Sequence, residues 1–146
     1  MKSPTYKISG TPIPQPRPRI LRNGIHYDPA HKHKELIRLQ LLTQRDTFNQ
    51  HMLTCPISLH ATFFMPIPNS LSKKKQSLLI GQPCIKRNGD IDNLIKLVLD
   101  CCKNILFLDD AQVFSLCCMK LYAPTDFVRT EFYFIYGAEN EEKVNP

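Results

Sequence analysis

Asp90-Ile91-Asp92-Asn93-Leu94-Ile95-Lys96, followed after a helix-length interval by Leu108-Asp109-Asp110-Ala111-Gln112, is the stretch on which the reading turns. Leu94, Ile95, Val98, Leu99, Cys102, Ile105 and Leu106 recur at i, i+3, i+4 spacing, so an amphipathic helix is predicted between two acidic pairs. Asp92 is a natural N-cap for it, and Asn104 a natural terminator. In an extended segment, Asp90 and Asp92 share one face. Carboxylates this close repel one another, and a cation removes the repulsion. Hard oxygen donors suit Mg²⁺, with Mn²⁺ as a substitute. Capping alone accounts for Asp92, but not for Asp90 or for the second pair. Lys96 lies four residues after Asp92. It forms either a helical salt bridge or a contact to a bound phosphate. Asp100, four residues further on, is expected simply to pair with Lys96.

Distance sets a condition on this cluster. At about 1.5 Å per residue, a helix over 92–105 is roughly 20 Å long. Residues 106–109 span only about 14 Å when extended. If both pairs hold one ion, either the helix stops near Lys103-Asn104 and the chain runs back, or a neighbouring protomer supplies Asp109 and Asp110. Both arrangements stay open.

The rest of the chain supplies positive charge. The protein has 146 residues and a formal net charge of +6, and 42% of its residues are hydrophobic. That is one globular domain spanning 1–146, with a polar tail from 138 expected to fray. A basic balance points to a polyanionic partner, nucleic acid first. Pro12, Pro14, Pro16 and Pro18 alternate and forbid a helix, and Arg17, Arg19 and Arg22 ride on or just after this extended arm. The arm is read as a DNA-backbone contact, a Pro-rich ligand for an SH3-like domain, or a rigid connector. Lys73, Lys74 and Lys75 on a short helix, and Lys86 and Arg87 just before Asp90, are the other candidate phosphate contacts. His31, Lys32, His33 and Lys34 read as a solvated basic patch.

The six cysteines include no Cys-x-x-Cys, and two pairs are adjacent. They read as small core hydrophobes in a reducing cytosol, not as disulfides or zinc ligands. No apolar run approaches the ~20 residues needed to span a bilayer, and the N-terminus has no signal-peptide pattern, so a soluble, cytoplasmic protein is expected.

Strands are predicted at 5–9, 57–65, 113–121 and 129–136, with a small hairpin around Asn23-Gly24. A helix opens at Asp28 (N-cap) and Pro29 and runs to about Gln50, with Leu36, Leu39, Leu42 and Phe48 on its apolar side. A short helix capped by Ser70 or Ser72 buries Leu71, Leu78 and Leu79. The order of elements argues an α+β fold: a small mixed β-sheet of about four strands covered by helices.

The pattern Asp-x-Asp-Asn-x-x-Lys at 90–96, then Asp-Asp-x-Gln at 109–112, resembles the RusA-type Holliday junction resolvases, small endodeoxyribonucleases of phages and bacteria. Pro14-Gln15-Pro16-Arg17-Pro18-Arg19 is similar to that family's Pro-rich, Arg-containing start. The likeness spans roughly residues 8–136 and is most specific over 90–112. It implies a RusA-like fold, a homodimer with a complete site in each subunit, and a branched DNA substrate, the four-way junction. It also implies nicks that leave 5′-phosphate and 3′-hydroxyl ends. On this reading Asp90, Asp92, Lys96 and Asp110 are catalytic, and Asp90, Asp92, Asp109 and Asp110 hold Mg²⁺. Such an ion supplies an activated water and offsets charge on the phosphate. Two departures stand out. Gly89 occupies a position where relatives often carry a basic residue, and the interval between the acidic pairs is a residue shorter than in the best-known relative. Asp110 is matched to the family's essential acid because it precedes Ala111-Gln112. The alternative is a non-catalytic branched-DNA-binding module with the same fold.

Overall fold

A computed structural model of the protein describes residues 1–85 and 89–137. Lys86, Arg87 and the tail from 138 lie outside the described residues. The chain runs β1 (Tyr6–Ser9), β2 (Arg19–Ile20), β3 (His26–Tyr27), α1 (His31–Thr47), β4 (Ile57–Pro66), α2 (Lys73–Leu79), α3 (Ile91–Cys102), a 3-10 turn (Asp110–Gln112), β5 (Val113–Ala123), a second 3-10 turn (Thr125–Phe127) and β6 (Arg129–Tyr136). Four strands form one sheet in the order β1-β6-β4-β5. β4 runs parallel to β5, and the other pairings are antiparallel. This is the α+β mixed sheet that the sequence predicts. The hairpin also forms, as β2 and β3.

Alternation along β4 sets the layers. Ile57, Leu59, Ala61, Phe63 and Met65 are buried, while Ser58, His60, Thr62 and Phe64 face the other way and are only half-covered. Thr130, Phe132 and Phe134 of β6 fall on the buried face as well. Tyr6 of β1 stacks on Phe132 and meets Phe48 edge-on, and Phe107 meets Phe134 edge-on. Helix α3 adds Leu94, Ile95, Leu97, Val98, Cys101 and Cys102 to the same core. Each large side chain buried there contributes about 1.5–3 kcal/mol.

Several local expectations are corrected. Helix α1 begins at His31 with Ala30 at the cap, not at Asp28. The Asp28 carboxylate instead accepts the Ala30 N–H at 2.9 Å and closes a turn one step earlier. The helix ends at Thr47, and Asn49 follows at φ +50°. Its buried side is Ile37 and Leu41, whereas Leu36 and Leu39 are about 60% and 61% exposed. Both sets have helical spacing, and packing against β1 and α3 selects the first. In α2 the cap is Ser72, as expected, but no residue is fully buried and Leu78 is exposed. Among the cysteines, Cys84, Cys101 and Cys102 are buried, whereas Cys117 is exposed, since it lies on the uncovered sheet face. No helix among the described residues is long and apolar enough to cross a membrane.

Candidate active site and nucleic-acid interface

The N-cap of α3 is Asp90, in extended conformation (φ −67°, ψ 141°), and not Asp92. Asp92 stands in the first turn. Two carboxylates at a helix N-terminus are favoured by the macrodipole whatever else they do. Neither is used locally. Asp90 makes no side-chain cap bond, and both residues are exposed with no hydrogen-bond or ion-pair partner among the described residues. Lys96 is likewise exposed and unpaired among them. The expected Lys96–Asp100 pair is absent, because Asp100 is held by Lys34 at 3.2 Å. Lys34 also binds Asp28 at 2.6 Å, so it is committed to the fold and does not belong to a solvated patch. This bond with Lys34, aided by the Ala30 N–H, holds the Asp28 carboxyl below the usual carboxylate range.

Gly89 shapes the approach to Asp90. Its φ is +135°, and a Cβ there would sit 3.2 Å from Leu94 Cδ2. Its carbonyl accepts from Lys120 Nζ at 2.9 Å. The absence of a basic residue before Asp90 therefore has a local cause, and Lys120 delivers an ammonium to the same place from β5. Sequence reading missed Lys120; its one signal is a lone charge inside an apolar strand.

The second acidic pair divides its labour. Asp109 accepts the Ala111 N–H at 2.9 Å and binds Lys103 at 2.7 Å. The Lys103 bond, ahead of the backbone bond, lowers the Asp109 pKa. Gln112 Oε1 accepts from the Leu108 and Asp109 N–H groups at 2.8 and 2.9 Å, and its Nε2 donates to the carbonyls of Leu53 and Cys55, both at 3.0 Å. The Asp-x-x-Gln element is thus a capping box that ties the turn to the chain before β4. Asp110 is left exposed with no side-chain partner among the described residues.

Helix α3 stops at Cys102, with Lys103 as C-cap and Asn104 at φ +61°. Arg38 of α1 seals this end, donating to the carbonyls of Asp100 and Lys103 at 3.2 Å and approaching that of Cys101 at 3.4 Å. The chain does not then run back to the N-terminus of α3. Asp109 is pinned to Lys103, at the far end of the 12-residue helix from Asp90. At 1.5 Å per residue the two ends are about 18 Å apart. Among the described residues no group of three or more His, Cys, Asp or Glu side chains could hold a metal ion. The donors are chemically right for a hard divalent cation, but one chain brings them together only as two separated pairs.

The Pro-rich arm passes the acidic end of α3. Gln15 N–H donates to the Asn93 carbonyl at 2.9 Å, and exposed Arg17 and Arg19 follow. Arg22 is exposed in the hairpin loop. Lys73, Lys74 and Lys75 are exposed on α2, which shares a surface depression with Pro124, Thr125 and Asp126 just past β5. Lys120, and with it Gly89, lies towards this end of the sheet. Lys120 and the arm that carries Arg17 and Arg19 therefore reach the N-terminal end of α3, while the α2 lysines lie by the C-terminal end of β5.

The family described as Endodeoxyribonuclease RusA matches residues 9–131 of the chain. The chain is also 32% identical over 124 residues to the uncharacterized protein YqaN of Bacillus subtilis (strain 168), covering 81% of this chain and 87% of that protein.

Proposed function

We propose, from the premise that this chain belongs to the RusA endodeoxyribonuclease family, that it is a divalent-metal-dependent endonuclease that resolves four-way DNA junctions as a homodimer. The carrying observation is that Asp90, Asp92, Asp110 and Lys96 are exposed and unpaired among the described residues, whereas Asp28 and Asp100 are held by Lys34 and Asp109 by Lys103. The fold makes no use of these four charges within one chain, and carboxylates with a lysine beside them suit a site completed by a cation and a phosphate.

In this reading Asp90 and Asp92 of one protomer and Asp110 of its partner form one site. The ~18 Å separation within a chain favours this over a complete site in each subunit. Mg²⁺ or Mn²⁺, when bound there, supplies Lewis-acid stabilisation and an activated water. Lys96, one turn beyond Asp92, holds a non-bridging oxygen of the scissile phosphate. Lys120 and the arm arginines Arg17 and Arg19 draw the DNA backbone to the acidic end of α3, and the α2 lysines extend that track. A two-fold dimer presents two such sites to two symmetric strands.

The test uses a labelled synthetic four-way junction with Mg²⁺ or chelator. Paired nicks that require Mg²⁺ and vanish in Asp90→Asn and in Asp110→Asn are expected. Mixing the two inactive variants, with subunit exchange, restores one intact site per mixed dimer and hence cutting of single strands. A mixture that stays inactive although mixed dimers form places each site within one chain. Tight junction binding without cleavage by the native protein leaves the non-catalytic binding module as the function.

A further inference from the structure

The β2–β3 hairpin stands off the body of the protein. Every residue from Arg17 to Tyr27 is exposed. Its tip closes on itself: Leu21 N–H donates to the Ile25 carbonyl at 2.8 Å, Gly24 N–H to the Leu21 carbonyl at 2.9 Å, and Ile25 N–H to Asn23 Oδ1 at 3.2 Å. No third strand joins this small sheet among the described residues. Two strands alone are marginally stable in water and ordinarily lay one face on a core. This ribbon lays neither face down, yet it is apolar: Ile20 is 64% exposed, Leu21 46% and Ile25 57%. Leu21 and Ile25 stand opposite one another across the tip, on the same face as the Arg19–Tyr27 pair.

Both feet of the hairpin are tied to the helix that carries the acids. Gln15 N–H donates to the carbonyl of Asn93, in the first turn of α3, at 2.9 Å. Asp28, where the chain leaves β3, is bound by Lys34 at 2.6 Å, and the same ammonium holds Asp100 of α3 at 3.2 Å. The hairpin therefore has a set position relative to Asp90, Asp92 and Lys96. An extended chain from Gln15 to Leu21 spans at most about 20 Å. That is the length of about six stacked base pairs.

Charge decides what the apolar tip meets. Arg17, Arg19 and Arg22 flank it, and no acidic residue occurs before Asp28. Guanidinium groups beside exposed leucine and isoleucine match a nucleic acid, which offers phosphates outside and base faces inside. Apolar side chains enter DNA by wedging between base steps, at the cost of unstacking them. That cost is least at a branch point, where a base pair already lacks a continuous neighbour.

We infer that the tip of the β2–β3 hairpin is a wedge that enters the branch point of a DNA junction. Leu21 and Ile25 cover the base faces left unstacked there, while Arg17, Arg19 and Arg22 hold the flanking phosphates. This deepens the reading above and rests on it for DNA as the partner. It gives the chain a means of selecting structure: a linear duplex offers the arginines its phosphates but offers the tip no open step.

The test uses a four-way junction with 2-aminopurine at the branch point and a linear duplex with 2-aminopurine at an internal step. Both are titrated under chelation, so that no strand is cut. The native protein is expected to raise the fluorescence of the junction and not that of the duplex. Leu21→Ser combined with Ile25→Ser, at two exposed positions, should keep Tm and duplex affinity, lose the fluorescence rise, and bind the junction about tenfold more weakly. Leu21→Met combined with Ile25→Met should keep the rise. Arg19→Gln combined with Arg22→Gln should weaken junction and duplex alike and lower the salt dependence of both. A double-serine protein that keeps the junction preference and the rise overturns the wedge, as does an equal loss on junction and duplex. Loss of binding to vesicles of phosphatidylserine and phosphatidylcholine, with junction binding unchanged, overturns it in favour of a membrane surface. Junction cutting by a native protein that raises no fluorescence overturns the wedge and leaves the nuclease reading standing. A native protein that binds neither DNA overturns both.

Discussion

Replacing Gly89 with alanine probes the joint between the acidic site and the core. The backbone there is at φ +135°, a region that residues with a Cβ rarely adopt. Holding a non-glycine residue in such a region costs about 1–3 kcal/mol. The added Cβ would also lie 3.2 Å from Leu94 Cδ2, and Leu94 is only 1% exposed, so its side chain has little room to yield. Overpacking of this kind adds about 1 kcal/mol or more. Together these give a loss of roughly 2–4 kcal/mol, which for a chain of this length lowers Tm by about 6–12 °C. The assay is urea unfolding with the slope m unchanged, so that the midpoint alone reports stability. Gly10→Ala is the internal control: Gly10 has φ +89°, but nothing lies within 4 Å of where its methyl group would sit. It should lose only the conformational part. If Gly89→Ala destabilises no more than Gly10→Ala, the Leu94 contact is not what fixes Gly89. If both lose less than about 0.5 kcal/mol, the backbone argument fails as well. Gly89→Arg, which carries the same Cβ and a longer side chain, should be at least as destabilising as Gly89→Ala.

Gln112→Ala removes two acceptor bonds and two donor bonds that join the Asp109 turn to Leu53 and Cys55, and it should cost about 2–4 kcal/mol in chemical denaturation. Ile37→Ala should lose about 2–5 kcal/mol, whereas Leu36→Ala on the exposed side of α1 should stay within about 0.5 kcal/mol; comparable losses at both would refute the assigned face. Asp28 has a folded pKa depressed chiefly by its bond with Lys34, so its contribution to stability is fully present above the unfolded carboxylate value of about 4 and is lost as pH falls below it. Asp28→Asn should accordingly flatten part of the acid limb of a stability-versus-pH curve and leave the neutral-to-alkaline region parallel to that of the native protein. Asp109→Asn should weaken the turn by removing the negative charge that pairs with Lys103, and Asp110→Asn should leave thermal stability within about 0.5 kcal/mol of the native value. A large loss in Asp110→Asn would assign that carboxylate to the fold and not to the chemistry.

The chain's order of elements was legible because its signals are local. Alternation at Ile57–Met65 and at Arg129–Tyr136, the Asn23-Gly24 turn, the capping Ser72 and the apolar spacing of α3 each reflect contacts a few residues apart in sequence. The membership of the candidate site was also legible in part: the sequence places four acids and a lysine on and around one predicted helix, and the structure keeps Asp90, Asp92 and Lys96 on that helix and Asp109 and Asp110 in the turn after it. What required the tertiary structure is everything set by long-range partners. The choice of Ile37 and Leu41 over Leu36 and Leu39 depends on which neighbours α1 meets, since both sets obey the helical period. The diversion of Asp100 to Lys34, the sealing of α3 by Arg38 and the delivery of Lys120 to Gly89 each join residues more than 30 positions apart, and no spacing rule encodes them. Above all, the sequence alone left two routes for joining the acidic pairs. The Lys103–Asp109 bond and the left-handed Asn104 place them at opposite ends of a rigid helix, because a helix fixes distance while a sequence fixes only order.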